Sequence, residues 1–383
     1  MSKSNQLAKL DQSGKPYIIY KSQTGFDLYT NFSKKIVLNN KNIQSFLKKK
    51  NKKKMKNTDL YIGFFGYELL NNLIDIKLPR QKDFNFPKGI FYKPEKKIKL
   101  SNNLSYFKRD FESGSFKINI NKKSYTKIFN RFKKKIKSGE TYQIKICTKY
   151  KTKSKIDPLD FFSRLSKTNL APEAFMIKDR NYSIVSCSPE NLITKKGSEI
   201  STKPIAGTVK KTKNLNKSKA LNYFRKNLKE TKEHNMIVDM ERNDLSRICK
   251  IGTVRLSKQK IVEEYKDLFH YVSLIKGKLR KNINNVDIIK AMMPGGSVIG
   301  CPKINTLNLL NNQEKENRNI YTGSFGYIKF NGDMRFNIII RSILNFKNMS
   351  EISVASGVVV DSNANHEFNE NFLKAKALID LFK

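Results

Sequence analysis

Residues 322–344 read TGSFGYIKFNGDMRFNIIIRSIL. Two runs of β-branched and aromatic residues flank Asn331-Gly332, a pair that tolerates the backbone of a tight hairpin turn, so the stretch predicts two antiparallel strands. The same alternation continues outward. SEISVASGVVVDS (350–362) is a further strand, and Glu367–Phe382 is a closing helix whose spacing puts Phe368, Phe372, Ala375, Ile379 and Phe382 on a buried face. Toward the N-terminus, INTLNLLNNQEKEN (304–317) is helical after a Gly-rich break at GGSVIGCPK (295–303), and Ser218 to Asp244 form one long helical pattern. AFMIKDRNYSIVSCSPENLI (174–193) is a hairpin turning through Asp179–Asn181, Asp160–Leu165 a short helix, SGETYQIKICTKY (138–150) a turn and strand, and Ser124–Lys137 an amphipathic helix. The first 120 residues are a meander of aromatic-rich strands: IIYKS, GFDLYTNF, LYIGFFGYELL and GIFYKP. Meandering strands with inserted helices make an α+β protein, not a doubly wound sheet. The expected organisation is a strand-rich part, 1–120, packed on a larger domain, 121–383.

The chain has 383 residues and a formal net charge of +43. That length can bury a substantial core. No run approaches the roughly 18 apolar residues of a membrane span, and the first twenty residues lack the apolar centre of a secretory signal. Cys147, Cys187, Cys249 and Cys301 show no metal-ligand spacing, which fits a reducing cytoplasm without disulfides. The basic charge raises nucleic-acid binding as a rival function. Yet the lysines are spread through KKKNKKKMK (48–56), KKKIK (133–137) and VKKTK (209–213) rather than gathered in one stripe, and the aromatics fall in strand patterns that suggest core. A positive field also steers small anionic substrates.

Against this background two acidic pairs stand out, Glu230/Glu233 and Glu367/Glu370. Residues three apart share one helix face. Oxygen-only clusters suit a hard divalent cation such as Mg²⁺, although a solvated acidic face gives the same spacing. GGSVIGCPK lacks the Gly-Lys-Ser/Thr ending of a nucleotide-binding loop.

Eight segments occur in order: SPENL, KPIAGT, KEHNMIVDMERNDLSRIC, HYVS, PGGSVIGCPK, IYTGSFGYIKFNGDMRFNIIIRS, ASGVVVDS and EFNENFLKAKAL. Together they resemble the chorismate-utilising enzymes, specifically the large subunits (component I) of aminodeoxychorismate synthase and anthranilate synthase. The resemblance spans the chain from about residue 120 onward and is weaker earlier, in YIGFFGYELL. It implies two large, mostly antiparallel sheets packed face to face with helices outside, and 121–383 as the chorismate-binding catalytic domain. It also implies Mg²⁺ on Glu230, Glu233, Glu367 and Glu370, with Glu190 as the acid and His270 as the active-site histidine. Ala206 and Thr208 of KPIAGT belong to the catalytic set. Arg341 and Lys374 match positions that hold substrate carboxylates, and Gln143, Gly295, Gly296, Ser297 and Gly357 complete the substrate site. His234 and His366 are read as structural neighbours of the glutamates.

Which member the chain resembles turns on a few positions. Enzymes that add water at C2 of chorismate use a lysine base where this chain has Gln143, and an amide cannot take a proton, so amination is expected. Many aminodeoxychorismate synthases carry a nucleophilic lysine where Ala206 stands, which points toward anthranilate synthase. GGS (295–297) and DMRFN (333–337) resemble the aminodeoxychorismate branch. No tryptophan feedback element is found, and TNLAPEAFM (168–176) departs from its signature. The balance favours aminodeoxychorismate synthase. No glutaminase signature is present, so ammonia is expected from a separate amidotransferase subunit, forming a heterodimer, or from free ammonium.

Overall fold

In the computed structural model, residues 3–48, 56–76, 86–101, 112–265 and 268–382 are described. Most of the lysine run at 48–56 lies outside them. Strands Ser324–Lys329 and Met334–Asn337 pair antiparallel. Their turn is closed by Lys329 N–H donating to Asp333 O (2.7 Å), with Gly332 at φ 84°, a backbone that glycine adopts without penalty.

From this hairpin an antiparallel ribbon runs in two directions. One arm passes from Met334–Asn337 through Asn191–Lys196 and Glu199–Lys203 to Leu268–Lys278, which also carries Ile205–Lys210 and Arg255–Glu264. In the other direction Ser324–Lys329 pairs with Leu60–Phe65, then Gly89–Leu100, Phe26–Val37 and Tyr17–Lys21 follow. The ribbon continues through Glu173–Lys178, Tyr182–Ser188, Ser342–Phe346, Met349–Val358 and Gln143–Lys155. The strands from before residue 120 therefore link the hairpin to the far part of the second arm.

The arms fold onto each other. Arg335 of the first arm pairs with Glu173 of the second, and beside them Phe175 stacks on Phe325 of the central hairpin with ring centroids 3.7 Å apart, inside a core that also holds Ile18, Ile62, Phe64, Ile184 and Ile339. Such a buried aromatic pair contributes roughly 0.5–1.5 kcal/mol beyond its area. Helices cover the outside, as in Lys122–Lys137, where Asn121 caps Ser124 N–H at 2.9 Å and Tyr125, Phe129 and Phe132 face inward. The α+β expectation and the face-to-face sheets are what the chain forms. Among the described residues no helix is long and apolar enough to cross a membrane.

Local expectations differ in four places. YELL, read as strand, starts the helix Tyr67–Leu73 behind Gly66. The long pattern from Ser218 divides into Lys217–Lys226 and Leu228–Ser246 at Asn227, whose side chain caps the second helix by accepting from Glu230 N–H (3.2 Å). MRFNIIIRSIL is two strands, because the chain crosses between arms at 338–341 with Arg341 at φ 51°. Phe372 is 47% exposed, not on the buried face of Ala364–Ile379. That helix turns Glu367 and Asn371 inward instead, the latter donating to Ile146 O at 3.3 Å.

Candidate active site

Each acidic pair sits in the first two turns of a helix with an asparagine cap. Asn227 fixes the start of Leu228–Ser246, so Glu230 lies in its first turn and Glu233 one turn on. Asn363 accepts from Asn365 N–H and His366 N–H (2.9 and 3.2 Å) and does the same for Glu367 and Glu370. Helix N-termini favour negative side chains, so both pairs are stabilised where they stand.

Between these helices is a cavity of about 460 Å³. It gathers Glu190, Ala206, Thr208, Glu230, Glu233, His270, Ser297, Arg341, Glu370 and Lys374 from across some 185 residues of sequence. Glu367 is buried just behind, its carboxylate grouped within 4.8 Å of ligand atoms of Glu370 and His366. His366, set aside in the sequence as a neighbour, also lines the cavity, whereas His234 is fully buried and bonded to Ser273 Oγ through Nε2 (2.7 Å).

Glu190 occupies the crossing between strands Tyr182–Ser188 and Asn191–Lys196, where Ile338 N–H donates to its carbonyl at 3.1 Å. Its carboxyl accepts from Ser297 Oγ at 2.7 Å. Burial pushes it up to about 7, with Ser297, Lys145 and Arg341 pulling the other way. A carboxyl in that range carries a transferable proton near neutrality. His270 Nδ1 lies 2.8 Å from Thr208 Oγ1 on the paired strand, which orients the ring. Burial, assisted by Arg341, depresses it to about 4, so it is a neutral hydrogen-bonding group at pH 7. Arg341 reaches the cavity through its left-handed backbone, a conformation that costs a non-glycine residue about 1 kcal/mol or more and clusters at functional sites.

The two acidic pairs are held differently. Glu233 Oε1 accepts from Gln143 Nε2 at 2.9 Å and from Lys145 Nζ at 3.0 Å. Glu370 is bound to Lys374 on its own helix at 2.7 Å, and Lys374 also donates to Ala355 O at 3.0 Å. Burial would raise Glu370, but Lys374 outweighs it and holds the carboxylate charged. Burial likewise works to lower Lys145, yet Glu233, then Glu370 and Glu367, raise it and keep it a cation. Four carboxylates on two facing helices, three of them open to one cavity, are a donor set of the kind Mg²⁺ takes.

Gln143, Gly295, Gly296, Gly357 and Glu367 do not line the cavity directly. Gly295 and Gly296, expected in the substrate site, lie closely against side chains of the core. A Cβ at Gly295 would lie 2.6 Å from Ile338 Cδ1, and one at Gly296 2.1 Å from Met240 Sδ. Gly357 backs Lys145 and Gln143, and Gly207 leaves room first for the Phe224 ring, 2.5 Å from an added Cβ, and then for Glu230 Oε2 at 3.1 Å. Lys145 is a charged cavity residue that the sequence motifs did not single out. Its signal was strand alternation, since it shares a face with Gln143 two residues earlier.

A second cavity, of about 790 Å³, lies between residues such as Tyr20, Tyr29, Pro172, Tyr327 and Arg335. Beside it Glu173 of TNLAPEAFM is buried and paired with Arg335 and Tyr20.

Residues 8–380 match the family described as chorismate binding enzyme. Over 70% of its length the chain is 35% identical to aminodeoxychorismate synthase component 1 of Bacillus subtilis (strain 168), covering 57% of that protein. It is 32% identical to the anthranilate synthase component I-like protein of Synechocystis sp. (strain ATCC 27184 / PCC 6803 / Kazusa), over 83% of this chain and 72% of that one. Against anthranilate synthase component 1 of Arthrobacter globiformis the identity is 36%, over 67% and 50%. The match thus spans little more than half the length of the Bacillus relative. Anthranilate synthase component I from Streptococcus pneumoniae TIGR4 superposes with a TM-score of 0.77 at 24% identity, covering 95% of this chain and 92% of that one. The menaquinone-specific isochorismate synthase from Escherichia coli gives 0.79 at 15%, covering 100% and 92%. These two likenesses establish the fold.

Proposed function

The chain belongs to the chorismate binding enzyme family, and from that premise we propose that it catalyses the Mg²⁺-dependent amination of chorismate as component I of an aminodeoxychorismate synthase. The observation that carries this reading is the convergence of Glu190, His270, Arg341, Lys374 and three of the glutamates, Glu230, Glu233 and Glu370, on one cavity, with Glu367 buried behind it. Chorismate carries two carboxylates and an allylic hydroxyl at C4. Arg341 and Lys374 supply fixed positive charge for the carboxylates. Glu230, Glu233, Glu367 and Glu370 would hold Mg²⁺, whose contribution when bound is Lewis-acid polarisation of the ring carboxylate. Glu190, protonated near neutral pH, gives its proton to the departing C4 oxygen, and Ser297 then donates to the carboxylate left behind. His270, neutral and held by Thr208, offers a hydrogen bond rather than a charge.

Ala206 lines the cavity and has no nucleophile to offer. Ammonia or water therefore adds at C2 as the C4 hydroxyl leaves as water, after which ammonia enters at C4 and the C2 group departs. Hydration to isochorismate is disfavoured, because Gln143 is no base and Lys145 already carries its proton. The ammonia comes from a separate amidotransferase subunit. Supporting this, the thiols of Cys147 and Cys187 are pushed up to about 12 and that of Cys249 to about 11 by burial, with Cys301 raised likewise, so none is a ready nucleophile for glutamine.

The second reading is anthranilate synthase. Ala206 favours it, as do the names of several relatives. The altered TNLAPEAFM segment with its buried Glu173 argues the other way. Incubation with chorismate, Mg²⁺ and ammonium, followed by mass spectrometry and fluorescence, separates them. Aminodeoxychorismate, convertible to p-aminobenzoate by a lyase, is the expected product. Direct appearance of fluorescent anthranilate would replace it with the second reading, and unchanged chorismate would remove both.

A further inference from the structure

Lys145 stands on the floor of the acidic cavity, on strand Gln143–Lys155 and between the two glutamate-bearing helices. Its backbone is fixed on both sides. Its N–H donates to Ile299 O at 2.9 Å, and its carbonyl accepts from Arg318 Nη2 at 3.2 Å. The ammonium is 3.0 Å from Glu233 Oε1, with only 15% of the side chain exposed. The strand opposite makes room for it. Gly357 is its direct cross-strand partner, and a Cβ there would lie 2.9 Å from Lys145 Nζ and 3.1 Å from Gln143 Nε2. Any larger residue at 357 would press on both donors that hold Glu233.

We propose that Lys145 is a positioning residue that acts as the resident counter-cation of the acidic cavity, competing with the divalent ion for Glu233 until an anionic substrate takes up its charge. This rests on the reading of the four glutamates as a divalent-cation site. An ammonium and a divalent ion cannot both take the same carboxylate oxygen at full strength, and two cations a few ångströms apart repel strongly in a half-buried site. Ion binding at Glu233 Oε1 in the empty enzyme therefore requires Lys145 to give up that oxygen. A substrate carboxylate entering beside Lys145 offsets the repulsion, so ion and substrate each tighten the other's binding. Gln143, uncharged and bonded to the same oxygen, keeps Glu233 aimed while Lys145 changes partner.

The test measures Mn²⁺ binding to the full chain without substrate, by loss of the free-ion electron paramagnetic resonance signal, in the native protein and in Lys145→Met. The expected result is binding about tenfold tighter in Lys145→Met, with the tightening by added chorismate reduced relative to native protein. Circular dichroism verifies the fold. Should Lys145→Met fail to fold, Lys145→Gln, which keeps a donor for Glu233 without charge, is read in the same way. Native protein that binds Mn²⁺ with a folded variant that binds it no tighter would overturn the role of Lys145 alone. Absence of Mn²⁺ binding in both would overturn the metal reading itself, and this proposal with it.

Discussion

The two walls of the cavity carry the same Glu-x-x-Glu spacing and hold it by different means. On the Leu228–Ser246 wall, Glu233 is tied across the fold to a part-buried ammonium and an amide of the sheet. On the Ala364–Ile379 wall, Glu370 is tied to Lys374 one turn further along its own helix, a cation 46% exposed. A carboxylate anchored to another element cannot move without that element. One anchored to its own helix moves with the helix and exchanges its partner with solvent. The first wall is therefore preset by direct bonds from Glu233 to the sheet, whereas Glu370 meets the sheet only through the half-exposed Lys374, which donates to Ala355 O.

The largest effects sharpen that contrast. Glu233→Gln and Glu370→Gln should both abolish chorismate turnover, but they should differ in stability. Glu233→Gln leaves Lys145 charged and poorly paired, which should cost about 2 kcal/mol, between the values for exposed and fully buried pairs. Glu370→Gln releases a cation that water can reach and should cost well under 1 kcal/mol. Denaturant titration of both variants checks this, and equal losses would remove the distinction between the walls.

Next in size is Glu190→Gln, expected to lower kcat by roughly 10²–10⁴-fold. Glu190 titrates near 7 because burial raises it. Its protonated fraction, and with it the rate, should fall tenfold per pH unit above that value, and this limb should vanish in Glu190→Gln. The sign for stability follows from the same shift. The folded state holds the proton more tightly than the unfolded chain, so this group's contribution is full below the ordinary carboxylate range and declines as pH rises from there to about 7. A pH–rate profile with no limb near 7 would take the acid role from Glu190.

Gly357→Ala should have a smaller effect, confined to the preset wall. The added methyl meets the flexible end of Lys145 at 2.9 Å, which can shift, so stability should change by less than about 1.5 kcal/mol. The KM for chorismate should rise while kcat changes less, as steady-state kinetics would show. The smallest expected effects are those of Asn227→Ala and Asn363→Ala, each costing about 1 kcal/mol through loss of a helix cap. A larger loss of activity in Asn227→Ala would mean that the cap, and not the sheet, sets the first wall.

Much of the fold was legible because it is written locally. The hairpin at Asn331-Gly332, the alternating strands and the amphipathic helix ending at Lys137 each follow from neighbours along the chain. The features that tertiary packing decides were hidden. Nothing local says that Asn227 ends one helix and caps the next, or that the chain changes arms at Arg341. Phe372 has the spacing of a core residue, but Glu367 and Asn371 take the inward face because the cavity lies there. In the site, Glu190, His270 and the glutamates were named from motifs. Their meeting in one cavity is a property of the folded arms. Lys145 was missed because a lysine in a lysine-rich strand looks like solvated surface, and only the pairing with Gly357 and Glu233 shows otherwise.

The most direct measurement is a crystal structure of Glu190→Gln soaked with chorismate and Mg²⁺. The ion should lie between the two helix N-termini, bound by carboxylates of both walls, with a substrate carboxylate against it and the C4 oxygen near residue 190. Chorismate seated in the cavity beside Tyr20 and Arg335, or an ion bound away from Glu233 and Glu370, would contradict the assignment.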